Sequence, residues 1–556
     1  MTINTDDLLK KAALCIAEGK TAEATRFCQA VLNYEDKNVQ AHYFLGKIAL
    51  KENDFDKAIQ CFKTAVNLNP DYTNAWFYLG KVFDQTNQQM KALDSYYQAL
   101  SRQSDNPVLY FATGVALQKM ENVEGAIQCY QMAVHYQPEY WEAYNNLSCL
   151  MRNTGQWDLS LDYALKAVSL QPENCSVLNS LGSIYKELGY YRKAIACFQK
   201  ALRIKSDDVI TLTNLGDVFL AGRDIDKALF YTEKAIQIQP DYIPAHWHRA
   251  LIWLISGNFK DGWREYEWRW QTKDFQSVQR NYTQPLWDGG EQPEKTLLIW
   301  AEQGVGDAIQ FVRYVERVRN RVGRIILEVP ATIHRLISHS INVDKVISPG
   351  EESAKFDLHI PLLSLPRALY PTDSDIPNRC PYLSPPTEAD SELTSDIDWN
   401  ESEFKVGIVW AGNPRHANDH NRSCPLKYFT GLMGIPGISF YSLQKGPRST
   451  EVKDMAINYQ IHDLSNRLQS FTDTAVVMQN LNLVISVDTA VAHLAGALAV
   501  PTWLLLPFNS DWRWFLDRSD SPWYPSMRIF RQTKPGDWDS LFEQVSLSLK
   551  QLISST

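Results

Sequence analysis

What this sequence lacks narrows its nature first. No apolar stretch reaches the roughly 18–20 residues that a membrane helix needs. The best candidate, residues 494–508, is interrupted by Pro501 and reads as helix, turn and strand. Positive charge is not in excess: the formal net charge is −9, which argues against a general nucleic-acid binder. None of the nine cysteines stands in a CxxC pair, and seven fall in the first half at spacings expected of small buried residues. Reduced core thiols are therefore expected, rather than disulfides or a metal site. The opening "MTINTDDLLKK" has neither the basic nor the apolar region of a signal peptide, so a cytoplasmic protein is the expectation. With no GxxxxGK[ST] loop, nucleotide hydrolysis of the P-loop kind is not implied.

What is present begins with a metre. Gly46, Gly80, Gly114, Gly182 and Gly216 lie on a grid of 34 residues, and Ala12, Ser148 and Ala250 fill its other slots, giving eight units. Twelve residues after each stand Ala24, Ala58, Ala92, Ala126, Ser160, Ala194, Ala228 and Gly262. Small residues at both points let two helices approach closely. Phe62, Tyr96, Tyr130 and Phe198 fill helical positions beyond them, and Pro70, Pro138, Pro172 and Pro240 close several units. This pattern resembles the tetratricopeptide repeat. The resemblance implies an α-solenoid of helix pairs over residues 1–272 with a concave groove. The row before each small grid residue reads Phe44, Tyr78, Ala112, Asn146, Ser180, Asn214 and His248. In O-GlcNAc transferase-like proteins an asparagine ladder in this row grips an extended peptide, so Asn146 and Asn214 are the acceptor-groove candidates. A scaffold that docks another folded protein is the other reading of the array. The last unit carries "WREYEWRW" (263–270), too much aromatic surface for water, and is expected to pack on the second half of the chain.

After a linker over 273–295, strands alternate with helices. Strands are expected at 296–300, 324–329, 345–348 and 356–361, then at 405–410, 438–443, 459–464, 483–487, 502–506 and 527–531. A Pro/Ser/Asp/Thr-rich connection over 371–400 lies between the two sets, and an amphipathic helix over about 538–553, capped by Asp537, ends the chain. Two βα sets predict two doubly wound, Rossmann-like lobes, 296–395 and 396–556, with ligands outside the carboxyl ends of their strands.

Four strand ends carry unusual loops. "WAEQGVGDAIQF" (300–311) pairs Gly304 and Gly306 ahead of Asp307, which on its own reads as a helix cap. "WAGNPRHANDHNRSCPL" (410–426) offers Arg415 and Arg422, and "SLQKGPRSTE" (442–451) offers Gln444, Lys445 and Arg448. "LVISVDTAVAHLAGAL" (483–498) turns from a buried strand to a helix at Asp488–Thr489, where free N–H groups favour an anion. A basic focus in an acidic chain points to a phosphorylated ligand.

"VDTAVAHLAGAL" resembles the D-[ST]-G-x-x-H-x-A-x-A signature of ADP-heptose glycosyltransferases, the heptosyltransferase-like (family 9-like) group of GT-B enzymes. "GVGDAIQF" is similar to that group's N-terminal G-D-x-[LI] loop, and "GIVWAGNP…NRSCPL" to the start of its nucleotide lobe; the likeness covers about 296–553. It implies a GT-B pair of lobes acting as a metal-independent, inverting glycosyltransferase with no cofactor. By that likeness Asp488, Thr489, Ala490 and His493 hold the diphosphate of a nucleotide sugar, with Gly412, Asn413, Arg422, Gln444 and Lys445 closing on it. Asp307 faces them as candidate general base, with Glu302 in reserve. Ala490 stands where the signature has glycine, and His493 also fits a core histidine. Repeats fused to such a half are the architecture of O-GlcNAc transferase-like enzymes, which implies a protein acceptor chosen by the repeats. Two readings stand beside it: a non-catalytic scaffold with a relic or nucleotide-sensing half, and a transferase acting on a glycan. Neither nucleic acid nor a membrane span enters any of the three.

Overall fold

The turn inside every helical pair is built the same way. In the computed structural model, positive φ recurs at Gly19, Asn53, Asn87, Glu121, Gly155, Gly189, Arg223 and Gly257, between 55° and 82°. These positions form a second 34-residue grid. The left-handed residue reverses the chain, and a cap for the next helix follows it in several units. Asp54 accepts from the Lys57 amide (3.1 Å), Asn122 from Gly125 (3.0 Å) and Asp224 from Lys227 (3.2 Å). The structure describes residues 4–276, 278–351, 355–369, 376–386, 397, 399, 402–455 and 459–555.

Sixteen helices, from Thr5–Glu18 to Phe259–Tyr266, make eight pairs. The glycine grid has a contact reason. A Cβ at Gly46 would lie 2.6 Å from the Phe62 ring, one at Gly80 2.6 Å from Tyr96, and one at Gly114 2.7 Å from Tyr130. The residue sixteen places on thus lies across the bare Cα of the paired helix. At Gly216 the partner is Thr232, whose hydroxyl would be 2.2 Å away. All nine cysteines are free thiols. No helix among the described residues is long and apolar enough to cross a membrane.

The chain divides into two compact units, one of residues 1–187 with 199–204 and one of residues 188–198 with 205–556. The second unit holds the last repeats together with two parallel sheets. The first sheet contains β1 (Gln292–Trp300), β2 (Val322–Glu328), β3 (Lys345–Ile347) and β4 (Leu358–Pro361), in the order β3-β2-β1-β4. The second contains β5 (Phe404–Val409), β6 (Ile438–Ser442), β7 (Ile461–Asp463), β8 (Leu483–Val487), β9 (Thr502–Leu506) and β10 (Met527–Arg531). Its order is β10-β9-β8-β5-β6-β7. Among the described residues, every ladder between these strands is parallel. All residues of β8 and β9 are buried, which is why these strands read as continuous apolar runs rather than alternating ones. The order reverses beside β1 and beside β5, the switch points where such sheets open a crevice.

Two expectations shift. The linker ends early because β1 starts at Gln292, and Trp287 within it is buried, its amide donating to the His359 carbonyl (2.9 Å). β7 is only three residues long. Most of the expected connection over 371–400 lies outside the described residues. The final helix runs Trp538–Ser555, and Asp537 caps it through the Ser540 amide (3.1 Å).

The aromatic seam is interior. One core passes from Ala250 and Leu254 through Trp263 and Tyr266 to Leu297, Ile299 and Phe311, and on to Leu504, Trp512 and Trp523. Trp268 stacks on His246 at 3.7 Å, and Trp270 meets Trp300 at 5.7 Å.

Candidate functional site

A cleft of about 660 Å³ opens at the carboxyl ends of the strands, between the two sheets. Its lining includes Asp307, Gly412, Asn413, Arg422, Gln444, Lys445, Asp488, Thr489, Ala490 and His493. Loops far apart in sequence meet there because parallel strands all end on one edge.

The turn after β8 shapes its floor. Thr489 is the N-cap of the helix Ala490–Ala497, with extended backbone (φ −143°, ψ 168°), yet its hydroxyl does not cap the helix. It meets the Ser486 hydroxyl instead (3.2 Å), so the Thr489 side chain makes no bond to the first-turn N–H groups. Gly306 lies on this helix: a Cβ there would be 3.1 Å from His493 Cδ2 and 3.4 Å from Ala490 Cα. A bare backbone at 306 makes room for the His493 ring.

Opposite, Gly412 serves Arg422. A Cβ at 412 would sit 2.5 Å from Arg422 Nη2, so glycine lets the guanidinium lie on the main chain. Asp419 holds the same guanidinium (Nε–Oδ1 3.3 Å), and the Gly412 amide donates to Ser423 Oγ (2.9 Å). Asn413 accepts from the Arg415 amide (3.0 Å), fixing the turn that carries Arg415 to the surface.

Other candidates are committed elsewhere. The Gln444 amide is spent on backbone, accepting from Trp410 and Ala411 (3.1 and 2.9 Å) and donating to the Ala411 and Lys445 carbonyls (3.0 and 2.9 Å). It shapes the wall rather than reaching into the cleft. Lys445 Nζ donates to the Ser465 carbonyl (2.6 Å), and Arg448 is held by Glu451 and the Cys424 carbonyl. His493 is buried, shares a hydrogen bond with the Tyr524 hydroxyl (2.8 Å) and stacks on Trp514. Burial holds its imidazole well below the ordinary range, with Arg513 adding to the effect, so it faces the cleft neutral.

Glu302 does not line the cleft at all. It is buried against Arg269 (3.0 Å) and accepts from the Leu363 amide (3.3 Å), because the fully buried guanidinium needs a counter-charge. Burial pushes its carboxyl up, against the pull of Arg269. Asn146 and Asn214 fall in different compact units, both half-buried. Asn146 lies beside the Tyr130 hydroxyl, and Phe44 in the same row is core.

Sequence reasoning passed over a fifth loop, after β9. It brings Asp511 and Arg513 into the cleft. Arg513 pairs with Asp307 and with Asp511 (2.9 Å) and donates through Nε to Gln310 (2.6 Å). Asp307 also accepts from the Gly304 amide (3.0 Å). Burial raises the Asp307 carboxyl, with Arg513 opposing. The signal available was positional: β9 runs parallel to its neighbours, so the loop "PFNSDWRWF" had to end on the same edge.

Five cationic side chains (Arg415, Arg422, Lys445, Arg448, Arg513) and three carboxylates (Asp307, Asp488, Asp511) line the cleft, a local excess of positive charge in an acidic chain. Burial, then Asp511, raises the Asp488 carboxyl to about 6. The folded chain thus keeps this proton at pH values where the unfolded chain has released it. The stabilisation is whole below the ordinary carboxylate range and is lost as pH rises to about 6. Asp488→Asn should therefore stabilise the unliganded protein at pH 7 by about 1–3 kcal/mol, with the gap closing toward pH 4. Urea unfolding across this range checks it; a gap independent of pH would show that Asp488 bears no such penalty.

Comparison with known proteins places the repeats. Residues 16–88 and 210–242 match the family described as "Tetratricopeptide repeat", and residues 182–221 match "TPR repeat". "Protein FlbA" of Caulobacter vibrioides is 24% identical over 329 residues, 55% of each chain. The chain thus spans about half the length of this curated relative. Among solved structures, "YrrB: a TPR protein with an unusual peptide-binding site" is 22% identical, covers 34% of this chain and 97% of its own, and has a TM-score of 0.30. Pseudomonas aeruginosa pilF is 19% identical, covers 39% and 98%, and has a TM-score of 0.35. Tetratricopeptide repeats run through the N-terminal region, and parallel sheets follow.

Proposed function

We propose that the sheet-bearing half is a GT-B glycosyltransferase that moves a sugar from a nucleotide-diphospho-sugar to an acceptor, and that the repeats select a protein as that acceptor. One observation carries the reading: an uncapped helix start at Thr489 and the Arg422 guanidinium share a cleft with the Asp307 carboxylate. The helix N–H groups, Arg422 and Arg415 hold the diphosphate, with no cofactor or metal assigned a part. The acceptor hydroxyl oxygen attacks the anomeric carbon and its proton passes to Asp307. The bond from that carbon to the diphosphate oxygen breaks, the nucleotide diphosphate leaves with the electron pair, and the configuration inverts.

A second reading, a repeat scaffold with a nucleotide-sensing half, draws on the Asp307–Arg513 pair, since the guanidinium occupies a carboxylate oxygen that a general base needs free. The deciding experiment screens UDP, ADP, GDP and dTDP sugars by thermal shift, then assays transfer from the best binder. Binding at 100-fold over Kd should add about 2.7 kcal/mol of stability. Binding without transfer to any acceptor would favour the scaffold.

Arg422→Ala removes a charge-assisted contact and should weaken nucleotide binding by about 1.5–3 kcal/mol. Calorimetry with the best nucleotide tests this, and an unchanged affinity would move the diphosphate elsewhere.

A further inference from the structure

The last helical pair packs through its aromatic residues on neighbours of the cleft. Trp263 packs edge-to-face on Phe311 (5.7 Å, 90°), four residues past Asp307, and on Trp512 (5.2 Å, 87°), next to Arg513. The Arg513 guanidinium lies over the same two rings, 5.7 Å from Phe311 and 4.4 Å from Trp512. Tyr266 accepts from Gln303 Nε2 (3.0 Å), and Gln303 immediately precedes the Gly304 amide that donates to Asp307. Trp263, Tyr266, Phe311, Trp512 and Arg513 are all buried. The two loops belong to different sheets and are 206 residues apart at the ion pair. The side chains of one repeat touch both.

We infer that Trp263 and Tyr266 are positioning residues, which hold the Asp307 loop against the Arg513 loop so that the repeat end builds part of the cleft. The inference rests on the transferase reading only in treating Asp307 as the base. A wedge that packs on both rings under the guanidinium restricts where it can sit. Without the wedge, Phe311 and Trp512 are free to separate, and the pair separates with them.

The test is a mutant cycle in the full chain, read in melting temperature. In the native background, Asp307→Asn and Arg513→Gln break one pair, so the double variant should lose less than the sum of the singles. In a Trp263→Leu background that shortfall should vanish, and with Trp263→Phe most of it should return. Should Trp263→Leu not fold, Tyr266→Phe removes one hydroxyl and should shrink the shortfall in the same cycle. An undiminished shortfall in these backgrounds overturns the inference. Where transfer is measured, Trp263→Leu should lower kcat with KM for the nucleotide sugar held. A chain that transfers no sugar yet shows the background-dependent shortfall would defeat the transferase reading and leave the positioning role standing.

Discussion

Asp307→Asn is expected to cut turnover by about 10²–10⁴-fold while nucleotide affinity stays near the native value. An amide cannot take the acceptor's proton, and that step is the catalytic role assigned to this side chain. The substitution is nearly isosteric, and one amide oxygen still accepts from either the Gly304 amide or Arg513. Contacts to the diphosphate are assigned to Arg422, Arg415 and the helix start at Thr489, so binding should not follow the loss. Calorimetry and steady-state rates on one preparation separate the two effects. Native turnover in Asp307→Asn would place the base elsewhere. Loss of binding in proportion to turnover would mean that Asp307 holds the cleft's shape rather than a proton.

How much of this was legible depends on whether the cause is local. The repeat grid is legible because each small residue answers a ring sixteen positions along the same chain, as Gly80 answers Tyr96. The matching left-handed grid at Glu121 and Arg223 is not, since side chains that large rarely advertise positive φ. Parallel strands such as β8 announce themselves as apolar runs, and the rule that their carboxyl ends share an edge gathers the loops at Gly412, Lys445 and Thr489 around one cleft. What each side chain does there is less legible. Gln444 and Glu302 sit in the expected loops, but their partners (the Ala411 backbone, and Arg269) are fixed only by the tertiary packing. Arg513 pairs with a residue over two hundred positions away, and no local pattern encodes that distance.

Glu302→Ala should cost about 3–5 kcal/mol of stability, the scale for removing one partner of a buried ion pair. Arg269 is fully buried, so its charge depends on Glu302 (3.0 Å), Glu267 (2.6 Å) and the Ser364 hydroxyl (2.7 Å). The Tyr266 and Trp270 rings flank the guanidinium at 4.9 and 4.6 Å, and neither ring face offers a hydrogen-bond acceptor in place of the lost carboxylate. The Leu363 amide loses its acceptor in the same step. Glu302→Gln keeps an oxygen for Arg269 and Leu363 and should cost less. Urea unfolding of the three chains measures the series, and turnover per folded molecule gives the contrast with Asp307. A buried side chain outside the cleft can lower activity only by loosening the loop that carries Asp307. Glu302→Gln should therefore transfer sugar near the native rate, whereas Asp307→Asn should not. Native stability in Glu302→Ala, or a rate in Glu302→Gln as low as that of Asp307→Asn, would make Glu302 a candidate base again.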